Sequence, residues 1–137
     1  MNQTTLTGEI IEPKAEQAYA YVLPFSYDDY QKFSDRKFTS IRKKKIPKKF
    51  IGKTWLLTVK RQPREEPSFT FFATCLSIER KKLEDIPTEV LIKDTQRTSS
   101  TISSRAEAIA MVQQFYRKKI DEETAFSLIF LKRNFWR

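Results

Sequence analysis

Eleven basic residues stand between Arg36 and Arg61 with no acid among them: Arg36, Lys37, Arg42, Lys43, Lys44, Lys45, Lys48, Lys49, Lys53, Lys60 and Arg61. Such a stretch can neutralise phosphates, and each neutralised phosphate releases counterions, which favours binding at moderate salt. The run is broken by Ile41, Ile46, Pro47, Phe50 and Ile51, so it belongs to folded structure and not to a free tail. Basic and aromatic residues also interleave, at Lys49-Phe50 and Lys53-Thr54-Trp55. Surfaces that stack single-stranded bases while holding their backbone have that composition. A solvated face kept soluble by lysine is the plainer reading, and polyanion binding is the favoured one. A membrane surface is the less favoured polyanion, because no basic amphipathic helix coincides with the run. A second, mixed basic cluster follows at Arg117, Lys118, Lys119, Lys132, Arg133 and Arg137.

Other chemistries are excluded by what is missing. The 137 residues contain no His, one Cys (Cys75) and two Gly (Gly8 and Gly52). Without His there is no Ser-His-Asp or Cys-His arrangement and no imidazole base or metal ligand. One Cys makes neither an internal disulfide nor a thiolate zinc site, and two glycines cannot write a G-x-G-x-x-G turn or a Walker A loop. No cofactor and no metal are expected. The acids Glu65, Glu66, Glu84, Asp85 and Glu89 show no paired-carboxylate or metal-ligand spacing. Apolar runs fall far short of the ~20 residues that span a bilayer, and no secretory signal is visible at the start. The expectation is a soluble, cytoplasmic single domain, with 26 Lys and Arg against 17 Asp and Glu and a net charge of +9.

The elements that must position these residues follow from periodicity and punctuation. Residues 1–16 read as a loosely held lead-in, and residues 17–137 as one domain. Ala18 to Leu23 is a β-prone run stopping at Pro24, and Ser26 starts a short helix carrying Tyr27, Tyr30 and Phe33. Lys37 to Lys43 alternates as a strand, Gly52 marks a turn, and Thr54 to Arg61 alternates with Trp55, Leu57 and Val59 on one side. Ser68 to Glu79 is the strongest strand. The segment from Lys81 to Thr95 is broken by Pro87. Ser104 and Glu107 match a capping box, which predicts a helix running to about Ile120. Ala125 to Lys132 is the last strand. This order predicts an α+β fold, a small mixed β-barrel of about five strands with two or three flanking helices.

The run Phe33-Ser34-Asp35-Arg36-Lys37-Phe38-Thr39-Ser40-Ile41-Arg42 resembles the helix-to-strand segment of ASCH domains, within the PUA-like superfamily. Phe50-Ile51-Gly52-Lys53 and Trp55-Leu56-Leu57 resemble that family's turn into its second barrel strand. The resemblance spans about Tyr19 to Phe135. It implies a barrel around a cleft, in a superfamily whose members mostly bind RNA or modified bases. Some ASCH members are similar to small amidohydrolases that deacetylate acetylated cytidine with a Lys, a Thr and a Glu. Carried over, the Lys falls on Lys37 and the Thr on Ser40. The acid falls nearest Asp94, with Glu84 and Glu89 as competitors.

Each residue has a plainer reading too. Lys37 beside a carboxylate could act as base or nucleophile, since burial disfavours its charged form, but a surface Lys is the commoner case. A strand Ser such as Ser40 is more often a satisfied hydroxyl. Trp55, Phe69, Phe71 and Phe72 belong in a core, and Cys75 reads as an inert buried thiol. The favoured function is binding RNA or single-stranded nucleic acid. Arg36, Lys37, Arg42 and Lys43 to Lys45 would hold phosphates, Lys48, Lys49 and Lys53 would extend the track, and Ser40 would line a base-sized pocket. The alternatives are an amidohydrolase acting on a modified nucleoside such as acetylated cytidine, and an accessory protein that binds an acidic protein partner.

Overall fold

Thr54–Lys60 sets the pattern for the fold: Trp55, Leu57 and Val59 are fully buried while the residues between them are not. Alternate side chains on a strand point to opposite faces, so this segment must lie on a core. In the computed structural model, which describes residues 18–25, 32–60, 67–97 and 101–134, five strands and two helices do so. They are β1 (Tyr21–Phe25), β2 (Lys37–Arg42), β3 (Thr54–Lys60), β4 (Pro67–Lys82), α1 (Thr88–Thr95), α2 (Arg105–Gln113) and β5 (Ala125–Arg133). The fold is α+β, built on a mixed sheet in the order β1-β3-β4-β5-β2. β1 runs parallel to β3, and the other pairs are antiparallel.

The sheet curls about one face. Phe25 of β1 meets Phe38 of β2 with ring centroids 6.3 Å apart, and Phe33 stands edge-on to both and to Phe71. These rings join Leu23, Trp55, Leu57, Val59, Ala73, Cys75, Ile129 and Leu131 in one core. The Trp55 indole is satisfied there, donating to the Phe50 carbonyl at 3.0 Å. No backbone ladder joins β1 to β2 among the described residues, so the expected barrel is an open, rolled sheet whose edges meet through side chains. The opposite face carries a second core, in which Leu91, Ala108 and Val112 of the helices pack with Leu83, Ile86, Ile102, Ile120 and Phe126.

Several expectations shift for local reasons. β1 continues through Pro24, which an edge strand tolerates because its unpaired side needs no donor. Pro87 does not break a helix; it sits at the N-cap of α1. β4 reaches Lys82 and bulges at Leu76, between Cys75 and Ser77, and such a bulge re-aims one side chain out of the ladder. Burial pushes the Cys75 thiol up from 9.0 to about 11, an inert environment. Gly52 sits at φ +81°, the left-handed region that a side chain disfavours. The expected helix at Ser26, the last aromatics Phe135 and Trp136, and the lead-in lie outside the described residues.

α2 begins as its capping signature requires. Ser104 Oγ accepts the Glu107 N–H at 3.1 Å. The Glu107 carboxylate reaches back to Ser103, accepting its N–H at 2.8 Å and its hydroxyl at 3.0 Å. These bonds, the Ser103 N–H first, hold the Glu107 carboxyl below its usual range. Replacing Ser104 with Ala removes the side-chain acceptor for that N–H, and we expect Ser104→Ala to cost about 1 kcal/mol. Urea denaturation monitored by circular dichroism reads the change directly; a midpoint equal to the parent's would show that the cap contributes nothing.

Candidate functional site

The alternation of β2 decides which of its residues share a site. Phe38 lies in the rolled core, so Ser40 and Arg42 share its face, while Lys37, Thr39 and Ile41 face the helices. Their partners on β5 alternate in step: Thr39 stands opposite Phe130 and Ile41 opposite Leu128. α1 lies over this outer face. Its last turn places Asp94 above Thr39, and the hydroxyl of Thr39 donates to Asp94 Oδ1 at 2.6 Å. Lys32, arriving past the free edge of β2, donates to the same oxygen at 3.2 Å and to the Thr39 carbonyl at 2.9 Å. The Lys32 and Asp94 side chains are only 7% and 8% exposed.

This polar cluster floors a cavity of about 400 Å³. Val90, Phe130 and the bulged Leu76 supply apolar wall, and Lys37, Asp35, Lys93 and Gln96 lie around it. Lys93 and Asp35 form a 3.3 Å ion pair, but both are well exposed, so the pair contributes little. Gln96 is occupied in tying down the chain ahead of α2, bonding both the N–H and the carbonyl of Ile102.

The set Lys37, Ser40 and Asp94 is therefore not assembled. Asp94 is in place and Lys37 is exposed beside the cavity, but Ser40 is 2% exposed on the opposite face, where it accepts from Arg42 Nε at 2.8 Å. Asp94 is partnered by Lys32 and Thr39 instead. The competitors Glu84 and Glu89 are exposed and do not line the cavity. Reading Phe38 as a core residue would have identified Thr39, because adjacent strand residues cannot share a face. Lys32 carried no comparable signal: it precedes β2, and only the fold brings it 62 positions across to Asp94.

The basic run divides in two. Half-buried Arg42 is engaged across the sheet edges: Nη2 donates to the Pro24 carbonyl at 2.6 Å and the guanidinium lies 4.9 Å over the Phe25 ring. It bridges the two sheet edges, so the structure does not place it on an open phosphate-binding surface. Arg36 is exposed, with Nε 3.5 Å from the Arg133 carbonyl. Lys37, Lys43, Lys44, Lys45, Lys48, Lys49 and Lys53 are exposed and form no ion pair with a described residue. Their backbone is held: Arg80 Nη1 donates to the Lys43 carbonyl at 2.9 Å, and Ser127 Oγ to the Lys44 carbonyl at 2.7 Å. Lys43, Lys44 and Lys49 rest their ammonium groups over Tyr116, Tyr21 and Phe50. Lys37 stands directly opposite Lys132 across the β2–β5 ladder, and like charges so placed repel.

Among the described residues, no group of Cys, His, Asp and Glu is arranged to hold a metal ion, and no helix is long and apolar enough to cross a membrane. Two substitutions separate the buried lysine pair from the exposed lysine. Asp94→Ala leaves the Lys32 charge buried without its partner, and we expect a loss of about 3–5 kcal/mol. Lys37→Ala removes an exposed group and should stay within about 0.5 kcal/mol of the parent. Urea unfolding of both proteins checks this, and equal midpoints would mean that the Lys32–Asp94 pair is not buried in solution. Comparison with family models, curated proteins and solved structures finds no match, so the residues above carry the functional reading.

Proposed function

We propose that the protein is a cytoplasmic RNA-binding domain of the PUA-like ASCH type that takes one unstacked nucleotide into the cavity and holds the flanking phosphates on exposed lysines. The observation that carries this reading is the cavity of about 400 Å³ beside Lys37, at the start of a surface of exposed lysines that form no ion pair with a described residue. Its volume lies within the ~300–1,000 Å³ usual for ligand sites. Sequence-specific RNA recognition takes splayed bases, stacks them on apolar or aromatic side chains and reads their edges with polar groups. Phe130, Leu76 and Val90 suit the first task, and Thr39, Asp94 and Lys32 suit the second. A phosphate beside Lys37 and Lys132 would relieve their mutual repulsion. The rolled sheet, with edges bridged by Phe25, Phe38 and Arg42, is compatible with the barrel that the resemblance implies.

Phosphate contacts position a strand and base contacts specify it, so the proposed binding splits into a salt-dependent part and a cavity-dependent part. With seven exposed lysines from Lys37 to Lys53 engaged, the logarithm of the association constant should fall against the logarithm of salt with a slope approaching about −5. Lys37→Glu should weaken binding and make the slope shallower. Fluorescence anisotropy of labelled single-stranded RNA measures both, and binding that is absent at low salt, or flat as salt rises, would overturn the proposal.

The geometry of Thr39 favours a second reading, hydrolysis of an acyl group from a modified nucleoside such as acetylated cytidine. A hydroxyl bonded to a carboxylate at 2.6 Å, with an ammonium on the same oxygen, is a nucleophile beside its base. Thr39 Oγ1 would attack the amide carbon as Asp94 takes its proton, and the Lys32 ammonium would offset charge on the carbonyl oxygen. The amine would leave with a proton, and water would then release the acid from Thr39. Purified protein should hydrolyse acetylated cytidine, Thr39→Val should abolish the reaction, and Ser40→Ala, which alters a group on the other face, should retain it. Absence of hydrolysis by the parent, or full activity of Thr39→Val, would sink this reading.

A further inference from the structure

The chain between α2 and β5 reads in sequence as the end of a helix, but it folds back on one side chain. Gln113 Nε2 donates to the Tyr116 carbonyl at 3.2 Å and to the Lys118 carbonyl at 3.1 Å, and Gln113 Oε1 accepts the Ile120 N–H at 2.8 Å. Those three bonds fix a loop that presents Phe115, Arg117, Lys118 and Lys119 to solvent. Tyr116 turns the other way and ties the loop to the basic run: its hydroxyl accepts the Lys43 N–H at 3.1 Å, and the Lys43 ammonium lies 5.7 Å over its ring. Two basic segments more than seventy positions apart thus share one surface.

Phe115 is 55% exposed, with the Arg97 guanidinium 4.5 Å from its ring centroid. A single exposed aromatic would need no explanation. This one has the Arg97 guanidinium against its ring and three consecutive exposed cations, Arg117, Lys118 and Lys119, just after it in the chain, and those three form no ion pair with a described residue. Of the neighbouring acids, Asp121 accepts the Glu123 N–H at 2.9 Å and Glu122 lies 3.6 Å from Arg105, while Glu123 is exposed. An exposed aromatic side chain beside exposed cations is the combination that stacks a base and holds its phosphates.

We propose that this α2–β5 loop is a second nucleotide subsite of the RNA-binding surface, with Phe115 stacking a base and Arg117, Lys118 and Lys119 holding the adjoining phosphates. The proposal rests on the RNA-binding reading and extends it. From Lys37 the strand β2 runs about 17 Å at ~3.3 Å per residue to the Lys43 loop and Tyr116. The cavity and the loop then take nucleotides from opposite ends of one bound strand.

The test uses the full chain and labelled single-stranded oligouridine and oligoadenosine RNA. Phe115→Ala should lower affinity about 5- to 150-fold without altering the salt slope. The triple variant Arg117→Ala, Lys118→Ala, Lys119→Ala should make the slope shallower by about 2. Phe115→Trp should bind as the parent does, and its added fluorescence should be quenched by RNA. If the parent binds RNA with the expected salt dependence while the triple variant keeps its slope and the Phe115→Trp signal ignores RNA, this subsite is overturned and the cavity reading stands. If the parent binds no RNA at low salt, both fall.

Discussion

Two distant parts of the chain meet on a single carboxylate oxygen. Asp94 Oδ1 takes the hydroxyl of Thr39 from β2 and the ammonium of Lys32 from the segment before it, and so fixes α1 over the free edge of the sheet. Burying two charges costs several kcal/mol per ion before their attraction offsets it, and the offset requires good geometry. Lys32 gains a second acceptor in the Thr39 carbonyl, which lets the pair stay buried. α1 cannot slide along β2 without separating those charges, so the floor of the cavity is set by the same bonds that dock the helix. Three apolar side chains of similar volume would dock it as well. The retained polarity suits a floor that meets a ligand.

Apart from exposed Arg36 and Arg117 and buried Lys32, much of the positive charge divides by residue type. Arg42, Arg80, Arg105 and Arg133 send their planar forks to carbonyls, of Pro24, Lys43, Leu83 with Ile86, and Phe33 respectively. A guanidinium suits that work because its rigid array of donors satisfies several acceptors at once. The lysines of the basic run, by contrast, leave their ammonium groups outside. The backbone beneath part of the positive surface is consequently held by arginines, Arg80 at the Lys43 carbonyl among them. Arg42 lies within the basic run by sequence, yet it joins the two edges of the rolled sheet.

What the sequence makes legible is what short-range rules govern. The alternation of Thr54–Lys60, the cap at Ser104 and the long strand expected over Ser68 to Glu79 depend on neighbours within a few positions, and all are present, the strand running on to Lys82. The candidate site depends on longer range. Ser40 and Thr39 are one residue apart, but on a strand one residue moves a side chain to the other face of the sheet, and it is Thr39 that lines the cavity. Lys32 could not be singled out, since its partner is 62 positions away and its own neighbourhood reads as helix. α2 ends at Gln113 because that amide replaces the next helical bonds with bonds to its own loop, a substitution that hydrophobic spacing does not report.

Lysines on and beside an edge strand have another explanation, since a charged edge resists pairing with other chains. On β2 itself that account needs only Lys37, because Arg42 is engaged across the sheet edges. It does not extend to Lys43, Lys44, Lys45, Lys48, Lys49 and Lys53, which lie outside the strands and expose no ladder to protect. Solubility is served by charges of both signs on any exposed position and has no need of a fixed backbone. Here the backbone under Lys43 and Lys44 is held by Arg80 and Ser127, and that under Lys118 by Gln113. Ordering a loop in advance removes a cost that binding would otherwise incur. The cations of the proposed surface at Lys43, Lys44 and Lys118 thus stand on backbone that the fold holds in place.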